Sequence, residues 1–600
     1  MVTEVEGGLD EPAELEPEQG SLDLADADDI HTRADWERSA AAVLRKAGRL
    51  SEDETDDAVW GALTRATLDG IPVSPLGVTD HLAGLETSGR PGRPGAWDIR
   101  AHLDVPSAKA ANEVALVELS GGVTSLWLEV EPSADFDTIL DGVLLDLAPV
   151  VLEAPTDPQA AAEGFLDHAG DSPLAEGTNL GADPLGALLR GRGEGDLEVV
   201  TTLAEMARDA GTLAVVVDAS AVHDLGASDA QELGYSMGVG AAYLRQLTMA
   251  GLGVDEAAGL MEFRYAATDE QFPTIAKLRA ARRLWARVLE LSGFDGLNRQ
   301  RQHAVTSRPM MSKYDPWVNM LRTTVAAFAA GVGGADAVTV LPFDSALGIP
   351  DTFGRRIARN TSSLLISESH LARVVDPAGG AYAVEKLTDD LAAAGWAELG
   401  RIEEAGGVAA ALDDGSLVQR IEEVVDLRDA EIARRTRPLT GISEFPHLGE
   451  ALPEREPHPR ESVRRHGAPF EALRDEPAAG AVFLATMGTV AAHTARATFA
   501  ANLLAAGGIA VETAGPTDGL DQVLAAYGGQ PVVCLAGTDA SYAEWGAALV
   551  ARLREAGARW VIVAGVSTSS TTEMFERVDD SCAIGIDALQ FLRRTRAKLA

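Results

Sequence analysis

A large parallel β/α barrel followed by a smaller, open α/β domain is the fold that this 600-residue sequence predicts. Three observations carry it. Short apolar runs alternate with helical patterns over roughly four hundred residues, the repeat expected of a parallel sheet. A proline-rich stretch of mixed charge then breaks the pattern, and the alternation restarts in a compact C-terminal block.

The chain begins with an acidic arm, residues 1–35. Residues 1–30 hold eleven acidic side chains and no Lys or Arg, too little apolar material to offset the ordering entropy of the segment alone. The arm reads as a disordered tail or as a segment that orders on a partner. From residue 36 the text DWERSAAAVLRKAG is amphipathic at helical spacing, with Trp36, Ala40, Val43 and Leu44 on one side. Strand-like runs follow at 123–130, 150–154, 213–220 and 336–344. Between them lie helical patterns such as PTIAKLRAARRLWARVLELSG, in which Ile275, Leu278, Trp285, Val288 and Leu289 share a face and Pro273 fits the first turn. DPWVNMLRTTVAAFAAGVGG is another helix, closed by a Gly-rich stop. A closed (β/α)8 TIM barrel over 36–445 is the commonest way to use such an alternation.

Residues 446–480 carry prolines and mixed charge without periodicity and read as a linker laid over the barrel surface. In 481–600 the runs AVFLATMG, GGIAVETAG, QPVVCLAG and ARWVIVAGVS read as four parallel strands, with CAIGI a candidate fifth. That is a flavodoxin-like sheet, whose ligands sit at the carboxyl ends of the strands.

Bulk composition narrows the function classes. With 46% apolar and 24% charged residues the chain is an ordinary globular one. Its formal charge of −42 argues against binding nucleic acid or anionic membranes and reads as a solubility device. Two cysteines, Cys534 and Cys582, sit in apolar surroundings, which excludes a disulfide framework and points to no cysteine metal site. The N-terminus has no signal or transit pattern, and no uncharged apolar run reaches the roughly 18–20 residues of a membrane span. A cytoplasmic protein is expected.

Several long strings carry a family resemblance. YDPWVNMLRTTVAAFAAGVGGADAVTVLPFDSALG, RRIARNTSSLLISESHLARVVDPAGGAY and AKLRAARRLWA closely resemble signatures of methylmalonyl-CoA mutases. WDIRAHLDVP, GGVTSLWLEV and FPHLGEALPERE resemble the small, or beta, chains of that family, and the resemblance runs from about Asp35 to the C-terminus. It implies a barrel that binds acyl-CoA joined to a cobalamin-binding-type flavodoxin-like domain. It also implies the adenosylcobalamin-dependent interconversion of (R)-methylmalonyl-CoA and succinyl-CoA, a step of propionate metabolism. Many bacterial members pair a small chain with a large (alpha) catalytic one.

The resemblance also says where this chain departs. The family ligates cobalt through Asp-x-His-x-x-Gly at the first strand–helix turn of the small domain. In MGTVAAHTAR the matching positions are Val490, Ala492 and Ala495. His493 is one residue out of register, about 100° around a helix. It reads as a solvent-facing or helix-start histidine. Hydroxyl residues that hold the cofactor tail are replaced by Ala536 and Gly537, and a Gly-Gly pair by Ala564–Gly565. In the barrel, a stacking Tyr becomes His102, and a substrate-polarising His becomes Ala221, with His223 two places later as an ordinary strand-end histidine. NLGADPLGALL loosely replaces a Gln-Asn-Asp segment. No catalytic, cofactor-binding or metal residue is therefore expected in this chain. The expected role is a small, non-catalytic subunit whose large partner alone binds the cofactor, with acyl-CoA bound by the complex. The alternative is an active mutase with divergent cobalamin ligation through His493.

Other patterns have plainer readings. GVGG at 331–334 reads as a helix stop, not a phosphate loop. Lys277, Arg279, Arg282, Arg283 and Arg287 read as a solvated face or a subunit contact rather than a CoA-phosphate site, and Asp376–Gly380 as turn chemistry. No zinc-ligand spacing and no Ser-His-Asp arrangement is legible.

Overall fold

The structure is a computed structural model that describes residues 30–600 except 86–87, 105–106, 295, 297–299, 459–462 and 477. Most of the acidic arm, residues 1–29, lies outside the described residues.

Of the described residues, 30–67 and 72–76 form one compact unit. Its helix α1 (Arg33–Lys46) starts at a capping box in which the Thr32 side chain accepts from Asp35 N–H and the Asp35 carboxylate takes the Thr32 N–H. Ala41 and Leu44 face inward with Val59, and Trp36 lies 4.7 Å from Trp60. Val43 is exposed, contrary to the sequence reading. The inward stripe is centred one position later, on Glu37, Ala41 and Leu44, where Glu37 also accepts from Trp60 Nε1–H at 2.7 Å.

Residues 68–71 and 77–600 form the second unit. Eight parallel strands close its barrel: β1 (Asp98–Leu103), β2 (Ser125–Glu129), β3 (Val150–Glu153), β4 (Asn179–Ala182), β5 (Leu213–Asp218), β6 (Met261–Ala267), β7 (Arg301–Thr306) and β8 (Ala337–Thr339). β8 pairs with both β7 and β1, so no edge is left open. The run at 336–344 is a strand only over its first part, because Pro342 and a 3-10 turn at Ser345–Leu347 take the chain out of the sheet.

Of the barrel helices, α2 (Ser220–Asp224), α3 (Asp229–Met249), α4 (Gln271–Leu291), α5 (Pro316–Gly333), α6 (Thr352–Ser367) and α7 (Tyr382–Glu404) matter below. α5 stops where Gly334 takes φ +85, so GVGG is a helix terminus as expected. α4 buries its apolar stripe as expected, but its cations do not form a solvated face. Lys277 and Arg279 are completely buried. Lys277 Nζ lies 2.6 Å from Glu232 and 2.8 Å from Asp229, and Arg279 binds Glu385 at 2.8 Å. Arg282 donates to Gly89 and Gly333 carbonyls, and Arg283 binds Asp389 at 2.7 Å. Only Arg287, paired with Glu290, faces solvent. The reason is α7, which packs along α4 and supplies Glu385 and Asp389.

Within 446–480, α8 (Ala468–Asp475) is a helix that the sequence reading did not resolve; Pro469 stands in its first turn. The stretch is bolted to the barrel. Arg455 binds Asp344 at 2.9 Å and Asp351 at 2.7 Å, Arg464 N–H donates to Asp224 O, and Lys313 N–H donates to Glu471.

The C-terminal sheet comprises β9 (Val482–Thr486), β10 (Val511–Thr513), β11 (Val532–Ala536), β12 (Trp560–Ala564) and β13 (Asp580–Cys582), all parallel in the order β10-β9-β11-β12-β13. This 2-1-3-4-5 order is the flavodoxin-like one. The fifth strand ends at Cys582, so CAIGI is mostly the turn that follows it, with Gly585 at φ +89. Helix α9 (Val490–Ala506) follows β9, and α10 (Ala588–Leu599) packs beneath the sheet in one core with Phe470 of α8. No helix among the described residues is long and apolar enough to cross a membrane.

Candidate functional site

Two places could hold chemistry: the carboxyl edge of the small sheet and the carboxyl mouth of the barrel. At the sheet edge, β9 runs through Met487 and Gly488 (φ +91) into α9. Val490 is the first helical residue and is exposed; Ala492 is partly covered and Ala495 exposed. A Cβ built on Gly488 would stand 3.2 Å from the Ala492 methyl, so Ala492 rests against the turn itself. His493 is buried rather than solvent-facing, with Nδ1 3.2 Å from Gly488 O. It is a helix-start histidine folded back on its own turn.

The space between the strand ends is occupied. Gly537 packs so closely on Met487 that a Cβ there would meet the Met487 Cβ at 2.8 Å. Arg496 donates to Gly537 O at 2.7 Å, binds Asp539 at 2.6 Å, and lies 4.9 Å over the Tyr542 ring. Tyr542 is buried; its hydroxyl receives Gly537 N–H at 3.1 Å and donates to Ala564 O at 2.8 Å, which joins the ends of β11 and β12. Burial pushes its phenol well above the ordinary range. Gly565, at φ +132, has the Arg496 guanidinium where a side chain would begin. The sequence-predicted positions Ala536, Gly537, Ala564 and Gly565 thus do converge, around a neutral hydroxyl and an ion-paired arginine. The two residues that fill the gap were not singled out from the sequence. Their only signal there is a Tyr and an Arg at the starts of helices facing the same edge.

The barrel mouth holds a cavity of about 760 Å³. The His102 ring lies 3.9 Å from that of Trp127, tilted by 30°, and places Nε2 3.4 Å from Glu129. Burial would raise the Glu129 carboxyl, but His102 and Arg192 beside it hold it well below the usual range. Arg264 sits 3.8 Å over the other aromatic surface of the site, Trp127, and binds Glu153 at 2.8 Å and Asp218 at 2.9 Å. Burial likewise works against ionising Asp218, but Arg190 and Arg264 hold its carboxyl low. Deeper, toward the amino ends of the strands, Arg100 and Arg301 share Glu262 at 2.6 and 3.1 Å. His303 accepts from Arg264 Nε–H at 3.3 Å, so its proton is on Nε2, which donates to Thr339 at 2.8 Å. Burial, then Arg100 and Arg264, keep that ring neutral.

Ala221 and His223 are not on a strand. Both lie on α2, where two residues are more than half a turn apart, so His223 is carried away from the Ala221 position instead of along one face. His223 Nε2 is 2.7 Å from Ser307 Oγ, and Nδ1 is 3.6 Å from Glu232. This places a serine, a histidine and a carboxylate in line, a juxtaposition invisible in the sequence. It is a packing cluster: Ser307 is 1% exposed, and Glu232 is committed to Lys277 and to Ala266 N–H. The NLGADPLGALL segment ends β4 and caps the next helix with Asp183, which accepts from Tyr243 at 2.7 Å.

Residues 199–514 match the family model described as methylmalonyl-CoA mutase. The chain is 45% identical over 620 residues to the methylmalonyl-CoA mutase small subunit of Streptomyces virginiae, covering 96% of this chain and 98% of that one. The chain belongs to the methylmalonyl-CoA mutase family. It is also 35% identical over 610 residues to the small subunit of Propionibacterium freudenreichii subsp. shermanii, covering 94% of each. Against the methylmalonyl-CoA mutase of Cereibacter sphaeroides the figures are 29% over 453 residues, 66% of this chain and 63% of that one.

Cobalt ligation at a mutase sheet edge needs an imidazole, a carboxylate holding its second nitrogen, and open space above the turn. The residues present here do not fit it. Methyl-bearing side chains stand at all three positions, His493 spends Nδ1 on its own turn, and Arg496 with Tyr542 fills the gap. Among the described residues no three His, Cys, Asp or Glu side chains are grouped to hold a metal. The Cys534 and Cys582 thiols are buried neighbours without a disulfide.

Proposed function

We propose that this chain is the small, non-catalytic subunit of a cytoplasmic, heterodimeric adenosylcobalamin-dependent methylmalonyl-CoA mutase. The complex interconverts (R)-methylmalonyl-CoA and succinyl-CoA in propionate metabolism, and the large chain alone binds the cofactor. Its domains are the acidic arm 1–35, the barrel 36–445, the linker 446–480 and the cobalamin-binding-like domain 481–600. The observation that carries the reading is the sheet edge. The ligand positions Val490, Ala492 and Ala495 offer no donor atom, and the Arg496–Tyr542 pair bonds across the crevice that a cofactor tail would enter. The small-subunit names of relatives that span nearly the whole chain support the same reading. In this role the chain stabilises the assembly through its fold and supplies no reacting group.

The test is a visible spectrum. The purified chain, mixed with excess adenosylcobalamin and desalted, is expected to be colourless, while its co-purified complex with the large chain retains cobalamin. Stoichiometric colour on the isolated chain would overturn the reading and make His493 the first residue to substitute.

A further inference from the structure

The outward face of the last two barrel helices carries apolar side chains where solvent-facing polar ones are the rule. On α5, Trp317 and Leu321 stand one turn apart on the outside; on α6, Phe353 and Leu364 share an outward stripe three turns long. Val374 and Val375 continue the patch beside the 3-10 turn Leu371–Arg373, which packs against both helices. These six side chains are between 40% and 69% exposed. The two helices are joined through one buried ring: Trp317 stacks on Phe343 at 5.0 Å, and Phe353 meets the same ring edge-on at 5.9 Å. Apolar groups scattered singly on a surface are ordinary, but a contiguous set on adjacent helices marks an interaction surface.

Charge identifies what covers it. In a chain of net charge −42, residues 316–375 hold five arginines against four carboxylates. Asp344 and Asp351 are taken by Arg455 and Asp336 receives Gln302 N–H, while Arg359 is taken by Glu118 and Arg322 is buried against Asn319 and Thr440 O, which leaves Arg355, Arg356 and Arg373 beside Glu368. Arg356 and Arg373 are exposed at the patch, and Arg356 lies 5.4 Å over Phe353. A second copy of this chain, docked by the same face about a two-fold axis, would set arginines against arginines. The complementary surface is an apolar ridge edged with carboxylates on a different chain.

We infer that the α5–α6 face, centred on Trp317, Leu321, Phe353 and Leu364, is the docking surface for the large mutase chain. This rests on the subunit reading above and adds the surface to it. Leu321 and Leu364 project outward, so a charged replacement there spares the core while placing a carboxylate against the carboxylates of the partner.

The experiment measures association of the full-length chain with purified large chain by sedimentation or calorimetry. The double variant Leu321→Glu/Leu364→Glu is expected to keep its circular dichroism and melting temperature and to bind on the order of 30-fold more weakly, the loss typical of interface hot spots. Ile584→Glu, on a still more exposed turn of the small domain, is expected to bind as wild type. A correctly folded double variant with wild-type affinity overturns the inference and leaves the subunit reading standing. Loss of binding in Ile584→Glu alone also overturns it. If wild type forms no complex at micromolar concentration, both fall. A wild-type homodimer dissolved by the double variant shows a second copy as the occupant and overturns the inference too.

Discussion

The barrel mouth keeps a cavity of about 760 Å³ while the small-sheet edge is filled, and the two places are held together by opposite means. The mouth is lined by full charges: Arg190, Arg192 and Arg264 interlock with Glu129, Glu153 and Asp218, largely out of water. The sheet edge is closed by one buried neutral hydroxyl and one half-exposed ion pair. Charges removed from water cost several kcal/mol each unless every partner stays in place, whereas a hydroxyl asks only for its hydrogen bonds. The first arrangement is brittle toward single substitutions; the second is tolerant.

That contrast can be broken by experiment, and the largest effect is expected in the barrel. Arg264→Met takes one buried cationic partner from both Asp218 and Glu153, leaving them Arg190 and Arg192, and uncovers Trp127, so unfolding in urea is expected to lose about 3 kcal/mol. A loss under 1 kcal/mol would mean that the network is looser than its distances. Next is pH. Burial, then the neighbouring Asp218, pushes Asp183 up to about 7 from an ordinary 3.8. Between those values the folded chain holds a proton that the unfolded chain has released, so stability falls as pH rises from about 4 through about 7. The slope from this group is at most about 1.4 kcal/mol per pH unit. Asp183→Asn should remove that part of the slope in denaturation curves at pH 5 and 7.5; parallel curves would refute it. The smallest effect belongs to the sheet edge. Tyr542→Phe leaves Gly537 N–H and Ala564 O without their shared partner, and a loss of about 1–2 kcal/mol is expected. A cost matching that of Arg264→Met would erase the difference between the two regions.

The same contrast explains what the sequence discloses. β9, β11 and β12 are runs of Val, Leu, Ile, Ala and Phe buried on both faces, and they read as strands at sight. β6 is just as buried, yet its text, MEFRYAA, contains Glu262 and Arg264 pointing into the barrel. β7 hides Gln302 and His303 in the same way. Charges paired across a barrel come from strands more than a hundred residues apart, as Arg264 and Glu153 do, so no local window shows that they are partnered. Lys277 and Arg279 looked solvated for that reason: their carboxylates arrive from α3 and α7. Legible from the start were the missing donors at Val490, Ala492 and Ala495, because an absent functional group needs no partner to be noticed. Tyr542 and Arg496 were not, since only the folded sheet brings their helices to one gap.

The bolts between the linker and the barrel have a mechanical consequence. His466 N–H donates to Pro309 O, Lys313 pairs with Asp475, and Arg464 N–H reaches Asp224 O, so the linker that carries the small domain is riveted to the barrel at several separate points. Swinging it outward would shear these bonds together with the apolar seam around Phe470. The two lobes therefore move as one block, and a load applied to either is borne by both: the chain is built as an abutment, not as a lid.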